Sequence, residues 1–159
     1  MSKKANLYVG RAGQMVVISE FLIRGWNVAV PEVDIGDDLL VIKDQNMDVS
    51  RIQVKTASAS KLRDGYSARY SVRLSQLLNP ITPDITYIFV TRLNSRWESF
   101  LVIPREELYD QYEAYQAGSL TKAGQVSFYF NYTGETVTCS KRDFSTYLNN
   151  WSAWPVIEH

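Results

Sequence analysis

Residues 26–56 read WNVAVPEVDIGDDLLVIKDQNMDVSRIQVKT, and the punctuation of this stretch decides the fold. Residues 26–30 form a short apolar run stopped by Pro31, which cannot donate to a sheet ladder. Residues 32–37 make an acidic turn around Gly36. Residues 38–43 read as a second strand, and residues 44–48 as a polar, hairpin-like turn. Residues 49–56 are the third strand. Three strands joined by short turns predict a meander of adjacent antiparallel strands.

Side chains alternate across a strand. Gln53 and Lys55 therefore point one way, and Ile52, Val54 and Thr56 the other. Asp38, Leu40 and Ile42 share one face of the preceding strand. If the two strands pair, Asp38 stands near Gln53 and Lys55. Upstream, residues 10–25 read as a helix ending in Gly25, the residue common just past a helix C-terminus. At about 100° per residue, Gln14, Val17, Ile18, Phe21, Leu22 and Gly25 fall on one face. That face is apolar except at Gln14. Packed over the face of the sheet that carries Gln53 and Lys55, the helix would bring Gln14 to the same point.

The residue types suit phosphodiester chemistry. A hard cation such as Mg²⁺ takes oxygen ligands. Asp38 can supply a carboxylate, Gln53 an amide oxygen and Val54 a backbone carbonyl. Lys55 can orient the attacking water or help deprotonate it, and offset charge on phosphorus. The same pattern also describes an exposed strand face carrying Gln and Lys, and spacing alone leaves both readings open.

Further along, residues 57–65 are rich in Ser, Lys and Arg and read as a loop, with Ser58, Ser60, Lys61 and Arg63 placed to grip a phosphate backbone. Residues 66–73 alternate as a strand, and residues 75–78 as a helical turn. Residues 85–91 and 97–103 pair around Asn94-Ser95. Pro104 opens a helix to about residue 116. Residues 125–132 and 135–139 form a hairpin around Thr133-Gly134 whose aromatic residues suggest a homodimer surface. Residues 142–149 read as a final helix, and the Trp151/Trp154 tail packs back on the body.

Composition removes whole mechanisms. The one histidine is His159 at the terminus, so a core histidine base, a Ser-His-Asp triad and a His-x-x-x-His metal site are excluded. The single cysteine excludes an intrachain disulfide and a cysteine-built zinc site, and a reducing cytoplasm is the simplest expectation. No apolar run reaches the roughly 18 residues of a membrane helix. Net charge is zero, but residues 1–76 carry 11 Lys/Arg against 8 Asp/Glu and residues 77–159 carry 6 against 9. The excess of positive charge over residues 51–73 can neutralise phosphates. At 159 residues the chain is expected to form a single domain over 1–159.

Four segments together resemble a known family. They are Gly10-x-x-Gly13-Gln14, Leu22-x-x-Gly25-Trp26-x-Val28, Asp34-x-Gly36-x-Asp38-Leu39-Leu40-Val41 and Ile52-Gln53-Val54-Lys55-Thr56. In this order they resemble the PD-(D/E)XK nuclease superfamily, closest to small Holliday-junction resolvases and group I intron homing endonucleases. The resemblance implies an α/β fold, a mixed central β-sheet flanked by helices with a restriction-endonuclease-like core. It implies an active site at the opened sheet edge and Mg²⁺- or Mn²⁺-dependent cleavage of duplex or branched DNA. Asp38 matches the metal-binding aspartate and Lys55 the motif lysine. Gln53 stands where the family usually has Asp or Glu, and Gln14 where many members place a glutamate. Two amides at positions that are often carboxylates also fit a nuclease fold that binds DNA, or a protein partner, without cutting. Asp34 and Asp37 are nearby acids that could add charge.

Overall fold

A computed structural model describes residues 2–33 and 36–159. Helix α1 spans Lys3–Ile23, followed by strands β1 (Asn27–Ala29), β2 (Leu39–Lys43), β3 (Asp48–Ser58), β4 (Ser60–Leu62) and β5 (Gly65–Arg73). Then come α2 (Leu74–Leu78), β6 (Ile85–Leu93), β7 (Arg96–Pro104), α3 (Arg105–Glu113), β8 (Ser119–Leu120), β9 (Gln125–Thr133), β10 (Thr136–Cys139) and β11 (Arg142–Asp143). A 3₁₀ turn over Ser145–Tyr147 closes the succession.

The strands build two sheets. The first runs β1-β2-β3-β6-β7 and is mixed, because β3 and β6 are parallel while the other pairs are antiparallel. The expected meander is its first three strands. The second runs β11-β10-β9-β5-β4, antiparallel throughout, with β8 added beside β9. The mixed central sheet matches the α/β expectation, and both of its faces are covered.

Two cores result from strict alternation. Val17 and Phe21 of α1 pack with Leu39, Val41, Ile52, Val54, Ile88 and Trp154 on one face of the first sheet. The tail holds there through edge contacts of Phe21 with Trp151 (5.5 Å) and Trp154 (5.2 Å). On the other face, Tyr87, Phe89, Leu101 and Ile103 meet Tyr70, Val72, Phe128 and Phe130 of the second sheet, with Leu77 and Leu108 of α2 and α3 closing one end. Phe89 is fully buried among Tyr70, Phe128 and Phe130, and burying such a ring contributes about 1.5–3 kcal/mol.

Several expectations are corrected. The first helix begins near residue 3, where Ser2 caps the Ala5 N–H (3.2 Å). Its buried stripe is Gly13, Val17 and Phe21, and Leu22 is exposed. Residues 57–65 are the end of β3, all of β4, a tight turn and the first residue of β5, not a loop, because β4 pairs with β5. Residues 142–149 hold a two-residue strand and a 3₁₀ turn rather than a helix. There Asp143 accepts the Ser145 N–H (2.8 Å) and the Ser145 hydroxyl bonds Val137, pinning the backbone to β10. The aromatic hairpin turns Phe128, Phe130 and Tyr132 into the core and leaves only Tyr129 of its aromatic residues exposed. Among the described residues no helix is long and apolar enough to cross a membrane.

Candidate active site

Strands β2 and β3 pair from Lys43↔Asp48 to Leu39↔Ile52, and the Asp38 N–H still donates to the Ile52 carbonyl (2.9 Å). Beyond that point β2 turns away toward Pro31 while β3 runs on for six residues, paired only with β6. At this fork the Asp38 side chain takes the place of a strand. Its Oδ2 accepts the Val54 backbone N–H (2.7 Å) and Gln53 Nε2 (2.7 Å). In extended backbone the N–H and C=O of one residue point to the same side. The Val54 carbonyl therefore faces the opened side with its N–H. Asp38, Gln53 and the Val54 backbone thus meet as the alternation and pairing predict.

Gln53 is almost fully buried, and its amide is oriented by a relay from the second core. The Tyr87 hydroxyl donates to Gln76 Oε1 (3.0 Å). Gln76 Nε2 then donates to the Gly36 carbonyl (2.6 Å) and, at longer range, to Gln53 Oε1 (3.4 Å). That leaves Gln53 Nε2 for Asp38. Burial pushes the Tyr87 hydroxyl well above its ordinary value, more than the nearby Arg105 charge lowers it, so it stays a donor. Lys55, two residues along the same strand face, lines a recess of about 70 Å³ with Gly36, Gln53, Arg73 and Gln76. That volume holds a few water-sized groups.

Helix α1 packs on the opposite face of β3 from the one expected. Ile52 and Val54 are the apolar residues it must cover, and Gly13 is what lets it come close. A Cβ at Gly13 would lie 2.0 Å from Thr56 Oγ1. Gln14 accordingly sits in a neighbouring recess of about 170 Å³ with Arg11, Val30, Pro31, Glu32, Asp37 and Asp38, and its Oε1 accepts from Arg11 Nη1 (2.7 Å). Asp38 is the wall between the two recesses. It shares one with Gln14, and its carboxylate bonds Gln53 of the other. Asp37 is buried and ion-paired with Arg51 (3.1 Å), so its charge is balanced there. Asp34 lies outside the described residues. Ser58, Ser60, Lys61 and Arg63 are all exposed on β3, β4 and the turn that follows.

Gln76 and Tyr87 were not singled out by the sequence, and Arg73 only as one of the basic residues of 51–73. Gln76 looks like any amide on a short helix, and Tyr87 like any core aromatic. Only the fold brings them to Gln53.

Asp38, Gln53 through its amide oxygen and the Val54 carbonyl are hard oxygen donors of the kind Mg²⁺ or Mn²⁺ accepts. Among the described residues no group of three or more His, Cys, Asp or Glu could hold a metal. A cation at this fork would therefore be held by one carboxylate and two neutral oxygens, a chemically fitting but weakly charged set.

No family model matches the chain, and no curated protein matches its sequence. A solved structure does, that of a bacterial homing endonuclease, I-Ssp6803I, with a TM-score of 0.59 and 21% sequence identity, covering 96% of this chain and 90% of that one. The fold is shared with a homing endonuclease.

Proposed function

We propose that the chain is a metal-dependent DNA endonuclease of the PD-(D/E)XK type, working at the fork between β2 and β3. The observation that carries this reading is the Asp38 carboxylate bonded at once to Gln53 and to the Val54 N–H, beside the recess that holds Lys55. The homing-endonuclease fold supports it. Asp38, Gln53 and the Val54 carbonyl would hold Mg²⁺ or Mn²⁺, and the ion would supply Lewis-acid polarisation at the phosphate and make a nearby water more acidic. Lys55 orients the attacking water and offsets the charge that grows on phosphorus. The water oxygen bonds to phosphorus, one P–O ester bond breaks, its proton passes to a base or to solvent, and the leaving oxygen gains a proton. Gln14, with Arg11, supports Asp38 from the helix side. Ser58, Ser60, Lys61 and Arg63 contact the DNA backbone. Two copies in a homodimer would put one such fork on each strand of a duplex.

The test is cleavage of supercoiled, linear and branched DNA with Mg²⁺, Mn²⁺ or chelator. Cleavage by the wild type, lost in Asp38→Ala and Lys55→Ala, is expected. Cleavage that survives both substitutions would remove this mechanism.

One observation favours a second reading, a DNA-binding module that does not cut. Gln53 turns its nitrogen, not its oxygen, toward Asp38, so the fork satisfies itself without a cation. That reading expects salt-sensitive DNA binding with no cleavage in either metal, and gain of metal binding in Gln53→Glu. Cleavage by the wild type would eliminate it.

A further inference from the structure

The outer face of the second sheet is polar in an unusual way. Along β5 the residues on the side away from the core are Ser67, Arg69, Ser71 and Arg73, opposite Asn131, Tyr129, Ser127 and Gln125 of β9; Arg69, Arg73 and Tyr129 are exposed, while Ser67 and Ser127 lie covered beneath them. A solvated sheet face commonly sets opposite charges across strands, a pairing that contributes about 0.2–1 kcal/mol. Here the partners of Arg69 and Arg73 are Tyr129 and Gln125, and neither arginine joins an ion pair among the described residues.

The face is also pre-arranged. Arg69 lies diagonally over Ser127, its Nε donating to Oγ (2.7 Å), and its Nη groups make no hydrogen bond among the described residues. A guanidinium fixed by one edge offers the other to a planar anion, and bidentate phosphate contacts are of this kind. Tyr129 lies over Ser67, hydroxyl to hydroxyl at 2.8 Å, and keeps half its surface exposed. Beside them is an open recess of about 410 Å³ lined by Arg69, Ser119, Ser127, Tyr129 and Ser140, a donor-rich space large enough for a phosphodiester. At the end of the strip, Arg73 lines the recess of Gln53 and Lys55. The charged strip and the candidate site are therefore one continuous surface.

We propose that this outer face, the β5–β9 ribbon, is the surface along which duplex DNA lies, with Arg69 and Arg73 on its phosphates and Arg73 leading the backbone to Lys55. The inference rests on the endonuclease reading and adds where the duplex is held. From Arg69 to Arg73 the strip is about 14 Å long at roughly 3.4 Å per residue, the span of about four phosphates of one strand.

The test is salt-dependent binding of the full chain to a fluorescent duplex, read by anisotropy in chelator so that nothing is cut. Each phosphate contact contributes about 0.9 to the slope of log affinity against log salt. Arg69→Ala/Arg73→Ala is expected to lower the slope by about 1.8, and Lys4→Ala, at the start of α1, to leave it unchanged. Ser71→Glu places negative charge in the strip without removing an arginine, and is expected to weaken binding at every salt concentration. Wild-type affinity and slope in both strip variants would overturn the proposal while leaving the endonuclease reading standing. No binding by the wild type would sink that reading, and this one with it.

Discussion

Strand β3 passes through two environments that meet at Gln53. From Asp48 to Ile52 it is paired with β2, joined on the other side by β6 from Arg51 onward, and Ile52 is fully buried under α1. From Gln53 to Ser58 only the β6 side is paired, and a carboxylate stands in for the missing strand. The closed half is ordinary sheet, satisfied by backbone. The open half leaves a carbonyl and an amide beside one acid, with Lys55 in the recess that Gln53 also lines. A sheet that forks can gather chemistry from consecutive residues of a single strand. The fork is fixed from outside by α1 through Gly13 and from inside by Tyr87 and Gln76.

The largest effects should separate the halves. Lys55→Ala, in the open half, is expected to lower cleavage by about 10²–10⁴-fold, with a melting temperature close to wild type. Ile52→Ala, in the closed half, is expected to cost about 2–5 kcal/mol of stability, read by chemical denaturation, with cleavage by the folded fraction retained. The reverse pattern would mean that the two halves do not divide labour as described.

Asp38 belongs to both halves, and Asp38→Ala should show both effects. Removing the acceptor leaves the Val54 N–H and the Gln53 amide without their partner, at about 1–3 kcal/mol. Asp38→Asn keeps an acceptor oxygen and should recover most of that stability while leaving cleavage lost. Gly13→Ala should cost about 1–3 kcal/mol, because the new methyl overlaps Thr56 and α1 must shift. Equal stability of Gly13→Ala and wild type would show that α1 does not seat where described.

The smallest effects are those of pH. Burial raises the Asp84 carboxyl, but hydrogen bonds from Arg105 and the Ile85 N–H, with the Arg105 charge, outweigh it, so it titrates below its ordinary 3.8. A depressed carboxyl stabilises the fold above its unfolded value and loses that contribution as pH falls through the folded one. Arg105 also donates to the Leu77 carbonyl (2.7 Å), so this pair ties α2, and hence Gln76, to β6. Asp84→Asn should therefore flatten the acid limb of stability against pH. On the alkaline side, burial first, with the Tyr66 charge, pushes Tyr132 up to about 12 from 10.0, against a hydrogen bond with Thr91. A raised tyrosine contributes below its unfolded value, so stability should fall as pH climbs from 10.0 to about 12, read by tyrosinate absorbance and circular dichroism together.

The meander and the meeting of Asp38 with Gln53 were legible because a period of two and an antiparallel register leave little freedom. The face taken by α1 was less so. Gln14 drew attention as the polar residue on an apolar stripe, but the informative residue was Gly13, whose missing side chain marks the close approach to Thr56. The polar stretch 57–65 imitated a loop because its strand, β4, is exposed along its whole length. Phe128, Phe130 and Tyr132 read equally well as surface or core until a second sheet gave them something to cover. Gln76 was out of reach, since its contact with Gln53 spans 23 residues and no local pattern announces it.

Divalent-cation binding at the fork tests the central claim most directly. Calorimetric titration of the full chain with Mn²⁺ should find one site per chain, lost in Asp38→Asn and tightened in Gln53→Glu. Wild-type Mn²⁺ binding in Asp38→Asn, or none in any of the three proteins, would contradict it.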